Sequence, residues 1–507
     1  MRRRLGPILV VFIACVWLNQ SVGLIAWEKL RYLVFTDPAA HVFDTVRYPF
    51  VFLYRRSADE AMYYGIAAQI LGQPYDHQVF DLHSRGRVTG VSAFEAPPPP
   101  TDGHWHAPWT AVHLEYPPPV LPFVLAPKLV TDQFEPYAKV FGALMGLCMV
   151  LSIALAIDVV RRAETSRPSL SLASDRMAID ARWWLAAGLL LAQGALTIQR
   201  LDPLVAVAMI GTLRGAVRRS PVEMGLWAGL GGACKVLPLL VVPVMLAADW
   251  SSWRTRLAKL CGWTAAGLAI GFGPMLLSSP GAVGDFFRYH GLRGLQVEST
   301  FGALVGAARI ALGTAQPATL SYGSFNIGGA LPDALAKLSL PLTIAGIVAL
   351  CVREWRAGAA ADEPARIERL ACATLAATLV LWLTGKVFSP QYLTWGIPLA
   401  LAIPGRRGVV VIWLAIVTFA VTQLYYRGFY DFVFNQRLVG VLTVLVRQAL
   451  LALLLAYVVV RARPRSSPGE PRADEAHPQG PSRRPWRAPA DADTLAAKRD
   501  RRGEDTA

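Results

Sequence analysis

A few ionisable side chains in this 507-residue chain stand where charge is expensive, and their types suit acid-base work beside a bound anion. Ser57 followed by Glu60 forms a capping box, and Met62, Ile66, Ile70 and Leu71 then mark one face of a helix lying along a membrane surface. This puts Asp59 in a first helical turn, where a carboxylate can act as a general base. The competing reading is that it merely favours the positive end of the helix. Glu60 reads as a cap. Lys235 sits inside the apolar run 222–248, so it either meets an anionic partner or snorkels from a helix end. Arg200 and Asp202 flank Leu201 ahead of Pro203, with Asp202 expected at a helix start as the partner of Arg200. His290, Arg293 and Glu298 share one polar segment and could orient a substrate or tie the segment to its neighbours. Gln391 and Tyr392 follow Pro390, where they could hydrogen-bond a substrate or cap a helix within an interfacial aromatic belt.

Membrane helices must position these groups. The chain is 54% hydrophobic and 17% charged, well under the roughly 25% charge of soluble domains, which excludes an ordinary water-soluble protein. With about 20 apolar residues per crossing, the composition supplies on the order of ten spans. Apolar stretches lie near 7–27, 138–160, 183–198, 203–217, 222–248, 260–278, 334–353, 369–384, 393–404, 409–425 and 439–460. The proline-rich run from Pro117 to Val130 is too short and too interrupted for a straight span, so a re-entrant or interfacial segment is expected. The run 222–248 is too long for one span and carries Lys235 and Pro238 at its middle, which predicts two half-length helices meeting at a turn.

The net charge of +15 is read as topology rather than nucleic-acid binding. Basic clusters at Arg2 to Arg4, Arg161 to Arg182, Arg214 to Arg219, Arg254 to Lys259, Arg353 with Arg356, Arg406 with Arg407, and from Arg461 onward can all be cytoplasmic without contradiction. Residues 28–115, 199–202, 235, 279–333, 386–392 and 426–438 then face outward. The unusual polar residues gather there, as in a site assembled from discontinuous elements, while the cytoplasmic halves look apolar.

The remaining features carry less. Residues 1–27 could be a secretory signal, but apolar residues continue through Trp27 and an uncleaved first span is preferred. The tail from Arg461 is expected to be disordered, with Asp491-Ala492-Asp493 as solvated charge. His77, His83, His104, His106 and His113 lack neighbouring ligands at metal spacing, and the six cysteines are scattered singly through apolar segments.

Asp59 ahead of a tyrosine-containing helix, followed by Glu115-Tyr116-Pro117-Pro118, resembles the GT-C glycosyltransferases, and more closely glycosyltransferase family 87 and its mannosyltransferase-like relatives. The resemblance continues in Gln199-Arg200-Leu201-Asp202-Pro203, Ala233-Cys234-Lys235-Val236-Leu237-Pro238, the stretch from Arg288 to Ser299, and Phe388-Ser389-Pro390-Gln391-Tyr392, covering about 55 to 400 in order. It implies an all-α integral membrane bundle of about 10–13 transmembrane helices with a large first outer loop carrying amphipathic helices. The implied division is a first anchor (1–27), an outer catalytic loop plus the re-entrant Tyr-Pro-Pro segment (28–137), a multi-span domain (138–460) and a cytoplasmic tail (461–507).

The implied activity is inverting transfer of a hexose, mannose foremost, from a polyprenyl phosphate to a glycolipid, glycan or protein hydroxyl. The implied place is the outer face of a bacterial plasma membrane. Asp59 would be the base, and Arg200 and Lys235 would hold the donor phosphate. Tyr116, His290, Arg293, Glu298, Gln391 and Tyr392 would bind substrates, with Glu60 and Asp202 supporting them. Membrane lipid is an expected partner and nucleic acid is not. No cofactor is called for; some relatives of the fold use a divalent ion, which nothing in this sequence supports. The competing class is a transporter or flippase of a lipid-linked or anionic substrate. It would need polar residues along both halves of a path, and no internal repeat favours it.

Overall fold

The computed structural model describes residues 58–74, 102–110, 112, 117–166, 172–428 and 430–460. The expected first span 1–27, Tyr116 with most of the first outer loop, and the tail 461–507 lie outside the described residues. In chain order, α1 (Ala58–Leu71) precedes a 3-10 turn (Pro118–Val120) that runs into α2 (Leu121–Val130). Then come α3 (Phe134–Thr165), α4 (Leu172–Gln193), α5 (Asp202–Val217), α6 (Pro221–Cys234), α7 (Leu237–Ala248), the single turn α8 (Trp250–Trp253), α9 (Leu257–Ser278) and α10 (Pro280–Leu292). The chain continues through β1 (Leu295–Gln296), α11 (Thr300–Ala311), β2 (Thr319–Ser321), β3 (Ser324–Ile327), α12 (Ala330–Arg356), α13 (Glu363–Thr384), α14 (Leu393–Leu401), α15 (Gly405–Gly428), α16 (Tyr430–Phe434) and α17 (Leu438–Val459).

The chain is an all-α integral membrane protein. Among the described residues α3, α9, α12, α13, α15 and α17 are long and apolar enough to cross a membrane. Other expected crossings are half-length. At 1.5 Å per residue α3 extends about 48 Å, whereas α5, α6 and α7 extend only about 24, 21 and 18 Å, short of a hydrocarbon core of roughly 30 Å. Polar residues at the tips of these short helices can therefore stand inside the membrane profile.

The expected break in 222–248 is present. α6 stops at Cys234, Lys235 is extended at φ −154° and ψ 139°, and α7 starts with Pro238 in its first turn, where a missing N–H breaks no helical bond. The segment after Pro117 is likewise a short helix, folding back at Thr131 into α3. Lys128 clamps it: its buried Nζ donates to the carbonyls of Pro74 and Asp132, both at 3.2 Å, and to Asp132 Oδ1 at 3.1 Å, and lies 4.6 Å from the centre of the Tyr64 ring. Gly72, at φ +59°, ends α1 where the chain at 102–104 crosses closely enough that a Cβ would meet His104 O at 2.5 Å. These ties fix the height and rotation of α1, and with them Asp59.

Segment 279–333, expected to face outward, is built of helices and a small sheet. β1, β3 and β2 form an antiparallel sheet in that order, with Leu295 opposite Ile327 and Gln296 opposite Asn326. Tyr322 and Gly323, at φ 49° and 65°, make the tight β2–β3 turn.

The main apolar core runs through α3 to α7, α12 to α15 and α17. A second core joins α1, α2, the start of α3 and Leu201, and Cys234 packs against both. A third lies under the sheet and includes Leu295, Val297, Ile327, Tyr425 and Val444.

Among the described residues, several arginines of the basic clusters expected to be cytoplasmic meet carboxylates from other helices. Arg214 pairs with Asp158 at 2.7 Å and with Glu223, Arg219 with Glu363 at 3.1 Å, and Arg369 with Glu354 at 2.6 Å. Arg366 holds Asp249 at 2.8 Å, Glu363 at 2.6 Å and the carbonyl of Val217 at 2.6 Å. The cytoplasmic halves are expected to look apolar away from these basic clusters, and the pairs lie mostly at helix ends.

Candidate functional site

Six of the sequence-selected residues gather in one region: Asp59, Arg200, Asp202, Lys235, Gln391 and Tyr392. Four breaks in helical structure bring them there. Asp59 starts α1, Arg200 and Asp202 occupy the joint between α4 and α5, Lys235 is the turn between α6 and α7, and Gln391 and Tyr392 lie in a 3-10 turn (Pro390–Tyr392) ahead of α14.

Two ion pairs organise the centre. Lys235 Nζ donates to Asp202 Oδ1 at 2.8 Å and lies 4.5 Å from the Tyr392 ring centre and 4.7 Å from that of Trp395. Trp395 Nε1 donates to the same Asp202 oxygen at 2.8 Å, and its ring stacks on Tyr392 at 4.4 Å. Arg200 pairs with Asp59 and reaches Tyr426 Oη at 3.5 Å, while its buried Nε has no hydrogen-bond partner. The expected Arg200–Asp202 pairing is corrected: Asp202 serves Lys235, and Asp59 serves Arg200.

Between the pairs lies a cavity of about 30 Å³ lined by Tyr63, Arg200, Asp202, Cys234, Lys235 and Gln391 among others. It opens at the start of α5 and just ahead of α7. Helix starts present unpaired N–H groups and a partial positive charge, so with two cations alongside, the location suits an anionic oxygen. Glu60 is buried next to Asp59 on α1, at 1% exposure.

The other candidates are placed differently. Glu298, also 1% exposed, does not line the cavity. Its carboxylate accepts from Gln296 Nε2 at 2.8 Å, Tyr425 Oη at 2.9 Å and Tyr430 Oη at 3.0 Å. Burial raises its pKa, against the pull of the nearby Arg447 charge and the two tyrosine hydrogen bonds. Among the described residues Glu298 is a tie for the outer segment, which was one of the two readings open from sequence. Gln296 extends the tie: its Oε1 accepts from Phe388 N at 2.8 Å and its Nε2 donates to Ser389 Oγ at 3.1 Å. Phe388 and Ser389 lead directly into Pro390-Gln391-Tyr392.

His290, on α10, packs edge-on to Phe286 at 4.6 Å. Desolvation of the ring, followed by the charges of Arg293, Lys235 and Lys386, pulls its imidazolium down to about 4. Arg293 follows at the end of α10, with a buried Nε that has no hydrogen-bond partner.

Sequence reasoning missed Arg447. It is fully buried in α17, donates to Tyr425 Oη and to the Glu298 carbonyl, and lies 4.4 Å from the Phe388 ring centre. It is a lone cation in an apolar helix, the same signal that singled out Lys235. Trp395 was also missed, although it stands three residues beyond Tyr392 on the same helical face. Tyr426 offered no comparable signal.

A family model described as glycosyltransferase family 87 matches residues 114–390, more than half of the chain. The matched stretch contains Arg200, Asp202, Lys235, His290, Arg293 and Glu298; it begins after Asp59 and ends at Pro390. No curated protein matches.

Proposed function

This chain belongs to glycosyltransferase family 87, and from that premise we propose that it transfers a hexose from a polyprenyl-phosphate donor to an acceptor hydroxyl at the non-cytoplasmic face of a bacterial plasma membrane. Mannose is the proposed sugar, and a glycolipid, glycan or protein the proposed acceptor. Residues 28–137 form the outer catalytic loop with the re-entrant segment, and residues 138–460 the multi-span domain. The observation that carries this reading is the meeting of Arg200 and Lys235 at one cavity, at two helix starts, beside a carboxylate on a third element.

The reaction divides between those groups. Asp59 takes the proton of the acceptor hydroxyl, the acceptor oxygen bonds to the anomeric carbon from the face opposite the phosphate, and the sugar–phosphate C–O bond breaks with its electron pair left on phosphate. Inversion follows from that single displacement. Arg200, Lys235 and the N-terminus of α5 stabilise the charge developing on the leaving phosphate. Gln391 and Tyr392 contact the donor beside Lys235, and Tyr116, His290 and Arg293 contribute to substrate binding.

The test is a transfer assay on the purified full chain with labelled polyprenyl-phosphate mannose, comparing wild type with Lys235→Ala. The expected result is glycosidic product from wild type and a rise in donor KM of about tenfold or more in the variant, as for loss of a desolvated charge contact. Unchanged donor affinity would remove Lys235 from the phosphate site.

A further inference from the structure

Each of the two cations that line the cavity is paired with a carboxylate. Among the described residues there, Asp59 and Asp202 carry two negative charges and Arg200 and Lys235 two positive ones, each cation in contact with one carboxylate. An incoming phosphate at this cavity therefore meets two cations that are already paired with carboxylates.

The two cations differ in how firmly they are held. Lys235 bonds to Asp202 at 2.8 Å and faces two aromatic rings, whose faces attract a cation. Asp202 is itself buried and held by Trp395 Nε1. Removing Lys235 from that nest would also strand a buried carboxylate. Arg200 is less fully engaged: its contact with Tyr426 is long, at 3.5 Å, and its Nε is buried without a partner. It also lines the cavity, as Lys235 does.

We propose that Arg200 is a shared cation: Asp59 holds it in this structure, the donor phosphate draws it away, and Asp59 becomes a competent base only once donor is bound. The inference rests on the donor-phosphate reading above and adds an order to it. A carboxylate paired with a guanidinium holds a proton poorly, because the positive charge favours its ionised form. Transfer of Arg200 to phosphate strengthens the electrostatic hold on the leaving group and raises the proton affinity of Asp59 in one movement. The guanidinium suits the exchange because its five donors form a planar fork that fits carboxylate and phosphate alike.

The exchange makes an unusual demand on the proposed base: its removal should tighten donor binding. The experiment measures the affinity of the full-length protein in nanodiscs for farnesyl phosphate, using wild type, Asp59→Asn, Arg200→Ala, the double variant, and Lys235→Ala as reference. Competition for Arg200 predicts that Asp59→Asn binds about tenfold more tightly and that Arg200→Ala binds more weakly. In the Arg200→Ala background, Asp59→Asn should then change affinity by less than about twofold, the missing increment being the coupling between the two residues.

If Asp59→Asn tightens binding equally in both backgrounds, the effect is simple charge repulsion and the exchange is wrong. If Asp59→Asn weakens binding, Asp59 orients Arg200 for phosphate and the exchange is also wrong. Wild-type affinity in both Arg200→Ala and Lys235→Ala would instead overturn the phosphate reading itself. Asp59→Ser repeats the cycle should Asp59→Asn fail to fold.

Discussion

The two ends of this bundle use the same residue types to opposite effect. At the end proposed to face the cytoplasm arginines and carboxylates pair densely: Arg366 alone holds Asp249, Glu363 and the carbonyl of Val217, and Arg407 donates to the carbonyls of Tyr457 and Val458 at the last turn of α17. At the other end Arg200, Asp202 and Lys235 line a cavity, the buried Nε of Arg200 has no partner, and two aromatic rings face Lys235. A densely paired network fixes geometry where its members are buried, as Arg366 and Asp249 are, because moving either strands a buried charge. A partly satisfied one can exchange partners. The inner end thus anchors α5, α6 and α7 at their common base, so that their short lengths bring Asp202 and Lys235 together at the other end.

That contrast can be broken first at the inner end. Arg366→Ala leaves Asp249 buried without its close partner and should cost about 3–5 kcal/mol of stability, read as a lowered Tm in detergent. Donor affinity per folded molecule should stay at the wild-type value; a specific loss of affinity would erase the distinction between the two ends. Next in size is Glu298→Gln. The amide offers one acceptor where two tyrosines and Gln296 now donate, so about 1–3 kcal/mol of stability should be lost. Because Gln296 holds Phe388 and Ser389 ahead of Tyr392, the donor KM should rise with it. A stability loss with unchanged KM would detach this tie from the site.

A smaller effect is expected from Trp395→Phe. It keeps a ring beside Lys235 and deletes one hydrogen bond to Asp202, so donor affinity should fall by about three- to tenfold, equivalent to roughly 0.5–1.5 kcal/mol. The smallest concerns His290. Its folded-state pKa lies near 4, below the unfolded value of about 6.5, so the unfolded chain binds the extra proton first on acidification and stability falls with pH between those values. In His290→Gln that contribution is absent, and Tm should drop slightly less than wild type between pH ~7 and ~5.

Much of the frame was legible in the sequence. The break at Lys235 was visible because a charge and Pro238 interrupt an overlong apolar run, and Asp59 was visible because Ser57 and Glu60 read as a capping box at the start of a helix. The pairings were not visible. Asp59 and Arg200 lie on elements far apart in the chain, and Asp202 looked like the partner of Arg200 only because it is near in sequence; on folding, Asp202 faces the broken tip of α6 instead. The inner network was hidden for a different reason. Its arginines were read as markers of membrane side, which says nothing about which carboxylates they meet. Arg447 was legible and passed over, since a single cation in α17 carried the same signal as Lys235. The β2–β3 hairpin was masked by a polar segment in which only Gly323 and its neighbours announce a turn.

The central claim is that chemistry takes place at the outer end with Asp59 as base. The most direct measurement is the single-turnover rate of sugar transfer in donor-saturated Asp59→Asn, with donor occupancy measured on the same sample. The account predicts an occupied site and a rate reduced by about 10²–10⁴-fold, the usual share of a general base. An occupied site transferring at the wild-type rate would contradict it.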